Sequence, residues 1–179
     1  MAEVAALIKH RIYALIGQGA AKVERQYPLI QLAWLARQGA AIGRGVVAFG
    51  AFHFHGNPRN LRIGDGTTIN AGVVLNASGE LTIGRNVRLS NHVQLQTDEL
   101  EPASVEAHRE HRTAAVVVSD GVWLASGAIV VPGVTIGART IVAAGAVVTR
   151  SFGANLMVAG VPAKVIRHLK VEPDWNSGD

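Results

Sequence analysis

Groups able to move protons concentrate in one polar stretch of this 179-residue chain. Residues 96–117, QTDELEPASVEAHREHRTAAVV, carry Asp98, Glu99, Glu101, His108 and His111, carboxylates and imidazoles that can take a proton from a hydroxyl or return one. No aliphatic periodicity runs through this stretch. An irregular insertion of such length inside a compact domain is usually functional or disordered, and we read it as an active-site loop. His92 lies just upstream, one place before Val93, and its side chain is expected to point outward. His53 and His55 alternate in FHFHG and so share one strand face; they are expected to precede the main array, and we read them as structural. The absence of cysteine excludes disulfides, a thiolate nucleophile and a cysteine-based metal site.

A six-residue period supplies the frame that must position these groups. From Val118 the strings VSDGVW, LASGAI, VVPGVT, IGARTI and VAAGAV follow one another without a gap, and VT restarts the pattern at Val148. Each block opens on an aliphatic residue (Val118, Leu124, Val130, Ile136, Val142), and four places later comes a small or β-branched one (Val122, Ala128, Val134, Thr140, Ala146). Turn-forming Gly, Asp, Asn and Pro lie between them. Helical spacing and strict alternation both fail to describe this pattern. Three short strands joined by tight turns make one triangular coil, and coils must stack before any aliphatic face is buried. An earlier run reads IGDGTT, INAGVV and LNASGE from Ile63, then IGRNVR and LSNHVQ from Ile83, with IGRGVV at Ile42 as an outlying coil. The two earlier runs differ in register by two residues, which predicts a small bulge near Gly79.

The remaining segments differ in character. Val4, Leu7, Ile8, Ile12, Leu15 and Ile16 recur at helical spacing, and LIQLAWLARQ (29–38) gives a second helical candidate that Gly39 stops. We expect residues 1–38 to form a helical segment capping the open first coil; a basic amphipathic helix resting on a membrane surface, in peripheral contact, is the alternative. Residues 39–169 form the β-helix, and 170–179 a flexible tail. The stretch Val4 to Ile16 is interrupted by Lys9, His10 and Arg11, unlike a signal peptide, and no run of about 20 apolar residues occurs. A cytoplasmic location is the expectation. The net charge of +4 is spread along the chain without a basic, aromatic-laced stripe, which argues against a nucleic-acid partner.

The stretches VWLASGAIVVPGVTIG (122–137), AAGAVVTR (143–150) and VAGVPAKVIR (158–167) resemble the left-handed β-helix O-acetyltransferases of the galactoside, maltose and exopolysaccharide group. The resemblance spans about Ile42 to Leu169. It implies an all-β fold, a left-handed parallel β-helix of hexapeptide repeats, although parallel crossovers are ordinarily right-handed. It further implies a homotrimer with acetyl-CoA along the subunit boundary and a sugar or glycan hydroxyl as acceptor. Asn70 matches an asparagine that holds the acceptor, and Trp123 a tryptophan that walls the site; a turn-stacking amide and coil-edge packing are their structural alternatives. Ser126, Ala144 and Thr149 match positions lining the pantetheine arm, and Lys164 and Arg167 match basic positions near the nucleotide phosphates.

The base departs from the family pattern. Where the family reads a string resembling T-H-D-L-D-P, this chain reads Thr97-Asp98-Glu99-Leu100-Glu101-Pro102, so Asp98 stands in the histidine's place. A carboxylate is intrinsically a weaker base than an imidazole, and burial would be needed to restore basicity. Three readings stay open: Asp98 is a retuned base, a histidine such as His92 (or His108 or His111 from the loop) has taken over, or transfer is lost and the chain is a binding or assembly protein. A metal hydratase of the γ-type carbonic anhydrase kind, which shares the architecture, would need three histidine ligands. VVLNA (73–77) and the His92/Thr97 spacing keep only one of them, so no metal is expected. The reading that follows is a CoA-dependent O-acetyltransferase acting in polysaccharide or glycan modification.

Overall fold

A computed structural model describes residues 28–100 and 111–170. The helical candidate at Val4 to Ile16, the loop residues Glu101 and His108, and the tail beyond Lys170 lie outside the described residues. Helix α1 spans residues 28–37. It ends as Gly39 predicts: the Gly39 N–H reaches the Ala36 carbonyl and the Ala40 N–H the Leu35 carbonyl, at 3.1 and 3.0 Å, with Gly39 at φ 103°. That is a Schellman stop, which needs a residue tolerant of positive φ. Leu32 and Leu35 are buried against the first coil, and Gln31 Nε2 donates to the Phe52 carbonyl. Leu29, Ile30 and Trp34 face outward.

The chain then winds through five coils of three short strands. The first coil holds β1 (Ala41–Ile42), β2 (Val47–Ala48) and β3 (His53–Gly56); the second β4 (Leu61–Ile63), β5 (Thr68–Ile69) and β6 (Val74–Ala77); the third β7 (Leu81–Ile83), β8 (Arg88–Leu89) and β9 (Gln94–Leu95). A ribbon of β10 (Asp98–Leu100) and β11 (His111–Thr113) interrupts the winding. The fourth coil follows with β12 (Val116–Val118), β13 (Trp123–Leu124) and β14 (Ile129–Val130), and the fifth with β15 (Thr135–Ile136), β16 (Ile141–Val142) and β17 (Val147–Val148). Finally β18 (Leu156–Ala159) joins the stack and β19 (Lys164–His168) folds back antiparallel to it.

Strands one coil apart pair in parallel, so the prism has three faces: β1-β4-β7-β12-β15, then β2-β5-β8-β13-β16-β18, then β3-β6-β9-β14-β17. The aliphatic that opens each hexapeptide points inward. Ile63, Ile83, Val118 and Ile136 stack on the first face, Ile69, Leu89, Leu124 and Val142 on the second, and Leu75, Leu95, Val130 and Val148 on the third, all buried. Each fully buried aliphatic contributes about 1.5–3 kcal/mol, so the columns carry the fold. The small residue four places later fills the corner. Where it is threonine, its hydroxyl bridges coils: Thr67 Oγ1 donates to the Gly84 carbonyl at 2.8 Å and accepts from the Val87 N–H at 3.1 Å. Thr140 does the same with Gly153 and Leu156.

Three sequence expectations are adjusted. The register shift near Gly79 is absorbed at a corner, where residues 78–79 bend and the Gly79 N–H donates to Thr97 Oγ1 at 2.9 Å, while Leu61, Leu81 and Val116 keep pairing without a bulge. The insertion is shorter than 96–117, because Val116 already pairs with Leu81 on the first face. His53 and His55 do not precede the array; they sit exposed on β3 within the first coil.

Candidate functional site

Alternation within each short strand puts every second residue outside the prism. On the second face Leu89, Leu124 and Val142 turn inward, which leaves Thr68, Arg88, Trp123 and Ile141 as an outer ladder in direct strand register. With Asn70 and Ser90 at the strand ends, this face forms an open groove of about 1040 Å³. Phe49 and the corner residue Arg139 also line it. Trp123 lies half out of the surface, and its Nε1–H donates to Ser90 Oγ at 3.0 Å. Asn70 Nδ2 donates to the Leu89 carbonyl at 2.9 Å, so this side chain ties two coils together while lining the groove. Arg139 Nε donates to Asn155 Oδ1 at 2.8 Å. Among the described residues the lining contains two guanidinium groups and no carboxylate, an environment suited to anionic or hydroxyl-rich ligands.

A second cluster occupies the corner where the third face turns into the first. Asp98 opens the ribbon there, one place past the buried Thr97. Its Oδ1 accepts from Asn76 Nδ2 at 2.5 Å. Asn76 is itself fixed, its Oδ1 accepting from the Ser78 N–H at 2.9 Å and its carbonyl from the Thr97 hydroxyl at 2.9 Å. His111 comes back on β11 and sets Nδ1 3.6 Å from Asp98 Oδ2.

The predicted site residues therefore fall into separate groups. Asn70 and Trp123 share the groove. His92 is exposed at the corner between the second and third faces, at φ 60°, in the position that Gly72, Gly127 and Gly145 hold in neighbouring coils. Ser126 and Ala144 lie exposed on that same corner, joined through the Gly145 N–H to the Ser126 carbonyl at 2.9 Å. Thr149 is exposed just past β17, and Lys164 and Arg167 are exposed on β19. His92 and Asp98 are not brought together: β9 runs extended between them, a separation on the order of 20 Å at about 3.3 Å per residue. Among the described residues no three His, Asp or Glu side chains converge in a way that could hold a metal ion. Arg88, Ser90, Asn76 and Phe49 were missed by motif reading; the available signal was their outward place beside Asn70, Trp123 and Asp98 once strands were assigned.

The coil stack has counterparts in known proteins. The family model described as bacterial transferase hexapeptide (six repeats) matches residues 115–150. A protein of Escherichia coli K12 named as the colanic acid biosynthesis acetyltransferase WcaF is 36% identical over 129 residues, covering 72% of this chain and 69% of that one. An acetyltransferase-named protein of Dictyostelium discoideum is 38% identical over 117 residues, 64% of this chain. The chain spans 61% of the Dictyostelium protein, and 45% and 57% of two yeast relatives. The crystal structure of a hexapeptide-repeat acetyltransferase of Vibrio cholerae complexed with acetyl-CoA superposes with a TM-score of 0.72 at 30% identity, covering 90% of each chain. Repeat, fold and similarity agree, and this chain belongs to the hexapeptide-repeat acetyltransferase family.

Proposed function

We propose that the chain moves an acetyl group from acetyl-CoA to a sugar hydroxyl, in polysaccharide or glycan modification, as a cytoplasmic homotrimer. The observation that carries this reading is the second-face groove, where an indole held by Ser90 stands with Asn70 and two guanidiniums on the coil stack of an acetyltransferase family. An indole face gives apolar support to a pyranose ring, and amides and guanidiniums bind its hydroxyl or acidic substituents. The acceptor oxygen attacks the thioester carbonyl directly; with no cysteine in the chain, no thioester on the enzyme intervenes. Ser126, Ala144 and Thr149 offer exposed coil-edge backbone to the pantetheine arm, and Lys164 and Arg167 offer positive charge to the phosphates.

The separation of the two clusters supports a trimer. Asp98 and His111 occupy a different corner from the groove, so one copy does not present both to one substrate. A neighbouring prism packed alongside would bring the ribbon of one copy against the groove of the next. The experiment is CoA release from acetyl-CoA across a panel of sugar acceptors, with sedimentation equilibrium on the same sample. Acetyl transfer and a mass three times the 18.8 kDa chain are expected. A single-chain mass without transfer overturns the reading. The aspartate at position 98 favours one second reading, a CoA-binding subunit without activity, which predicts CoA binding with no release for any acceptor.

A further inference from the structure

The ribbon pairing places a histidine against the carboxylate that stands at the family's histidine position. Asp98 pairs with Thr113 and Leu100 with His111, so Asp98 and His111 are diagonal neighbours on one ribbon face. Asp98 is mostly hidden, its side chain 24% exposed, and Asn76 holds its Oδ1; Oδ2 turns to His111 Nδ1 at 3.6 Å. His111 is 71% exposed, and the ring nitrogen that approaches the carboxylate is Nδ1, which leaves Nε2 as the other. A carboxylate facing Nδ1 favours the tautomer with hydrogen on Nδ1 and leaves Nε2 as the basic atom. The 3.6 Å approach is longer than a hydrogen bond, and contacts of this type tighten once substrates close the site. Among the described residues, His92 sits on another corner and His53 and His55 on β3.

We infer that His111 is the base for the acceptor hydroxyl and that Asp98 is its positioning residue, an assignment that rests on the acetyl-transfer reading above. Nε2 takes the hydroxyl proton as the acceptor oxygen bonds to the thioester carbonyl carbon, whose π pair moves onto its oxygen. The tetrahedral adduct then collapses, the C–S bond breaks, and the CoA sulfur leaves with the electron pair and takes the proton back from the imidazolium. The products are an acetyl ester and the CoA thiol. The base has thus passed from the first strand of the ribbon to the second, and Asn76 and Asp98 form the support behind it.

The test is steady-state kinetics on the full chain with His111→Ala and Asp98→Asn. Because His111 is largely exposed, its removal leaves the core intact. His111→Ala should lower kcat by about 10²-fold or more while KM for acetyl-CoA stays within about threefold, and added imidazole should restore part of the rate. Asp98→Asn should lower kcat by about tenfold with KM unchanged. Nitrogen-15 NMR of the imidazole, independent of turnover, should show the Nδ1–H tautomer in the wild type and lose it in Asp98→Asn. An active wild type in which His111→Ala keeps its kcat, or in which Asp98→Asn is the more damaging and imidazole rescues nothing, overturns this assignment alone. A wild type that acetylates no acceptor overturns the transferase reading beneath it, and mixed tautomers in the wild type overturn the pair whatever the activity.

Discussion

Trp123 donates its indole N–H to the Ser90 hydroxyl at 3.0 Å, across two coils that pair strand to strand although the residues are 33 positions apart. The inserted ribbon lies between them in sequence, yet Trp123 packs directly on Arg88 of the preceding coil. The indole is thereby oriented on an outer face where none of the described residues covers it fully.

Trp123→Ala should raise KM for the sugar acceptor at least about tenfold while lowering Tm by only about 2–4 °C, since the side chain is already 45% exposed and stands outside the aliphatic columns. Ser90→Ala removes one hydrogen bond worth about 1 kcal/mol and should raise the same KM about fivefold. Initial-rate kinetics against acceptor concentration, with calorimetry on each variant, reads both. An unchanged KM in Trp123→Ala would remove the groove from acceptor binding.

Leu89 stands in the second-face column between Ile69 and Leu124 with no solvent exposure. Leu89→Ala should cost about 2–5 kcal/mol, because stacked coils cannot close over the missing volume. Thermal unfolding should show a Tm fall on the order of 10 °C. A fall of only a degree or two would mean that the columns are looser than their burial indicates.

The Thr67 hydroxyl accepts one N–H and donates to one carbonyl inside the prism. Thr67→Val keeps the shape and strands both backbone groups, at a cost of about 1–3 kcal/mol. Thr67→Ser keeps both bonds and should recover most of that loss. Urea unfolding of the pair distinguishes a hydrogen-bonding role from simple filling, which would make the serine variant the worse of the two.

His92 at φ 60° holds its ring over Gly72, where an added Cβ would meet the imidazole Nδ1 and Cε1, and Gly72 itself sits at φ 72°. Gly72→Ala should therefore destabilise by about 1–3 kcal/mol, from backbone strain together with the clash. His92→Gly, which restores the residue type used at this corner in adjacent coils, should be neutral or stabilising by up to about 1 kcal/mol. In the double variant the Gly72→Ala cost should shrink, because the ring is gone; additive free energies from denaturant unfolding would contradict the contact.

The direction each side chain faces was legible in the sequence. A hexapeptide that opens on an aliphatic and carries a small residue four places later determines Leu124, Val142 and Ala128 as inward, and by alternation Trp123 and Asn70 as outward. Gly39 marked the helix stop for the same local reason, its tolerance of positive φ. The neighbours each outward residue meets depend on coil closure, which joins positions far apart in the chain. The ribbon sets Asp98 against His111 because an antiparallel return fixes their diagonal, and the second coil supplies Asn76, 22 residues earlier, to hold the carboxylate. His92 and Asp98, only a few residues apart in sequence, part company because an extended strand spans the face between two corners. Local period determines orientation, since it is written in the backbone geometry of each short strand; tertiary winding alone decides contact, since the rise and corner lengths of whole coils determine which outward groups come within reach.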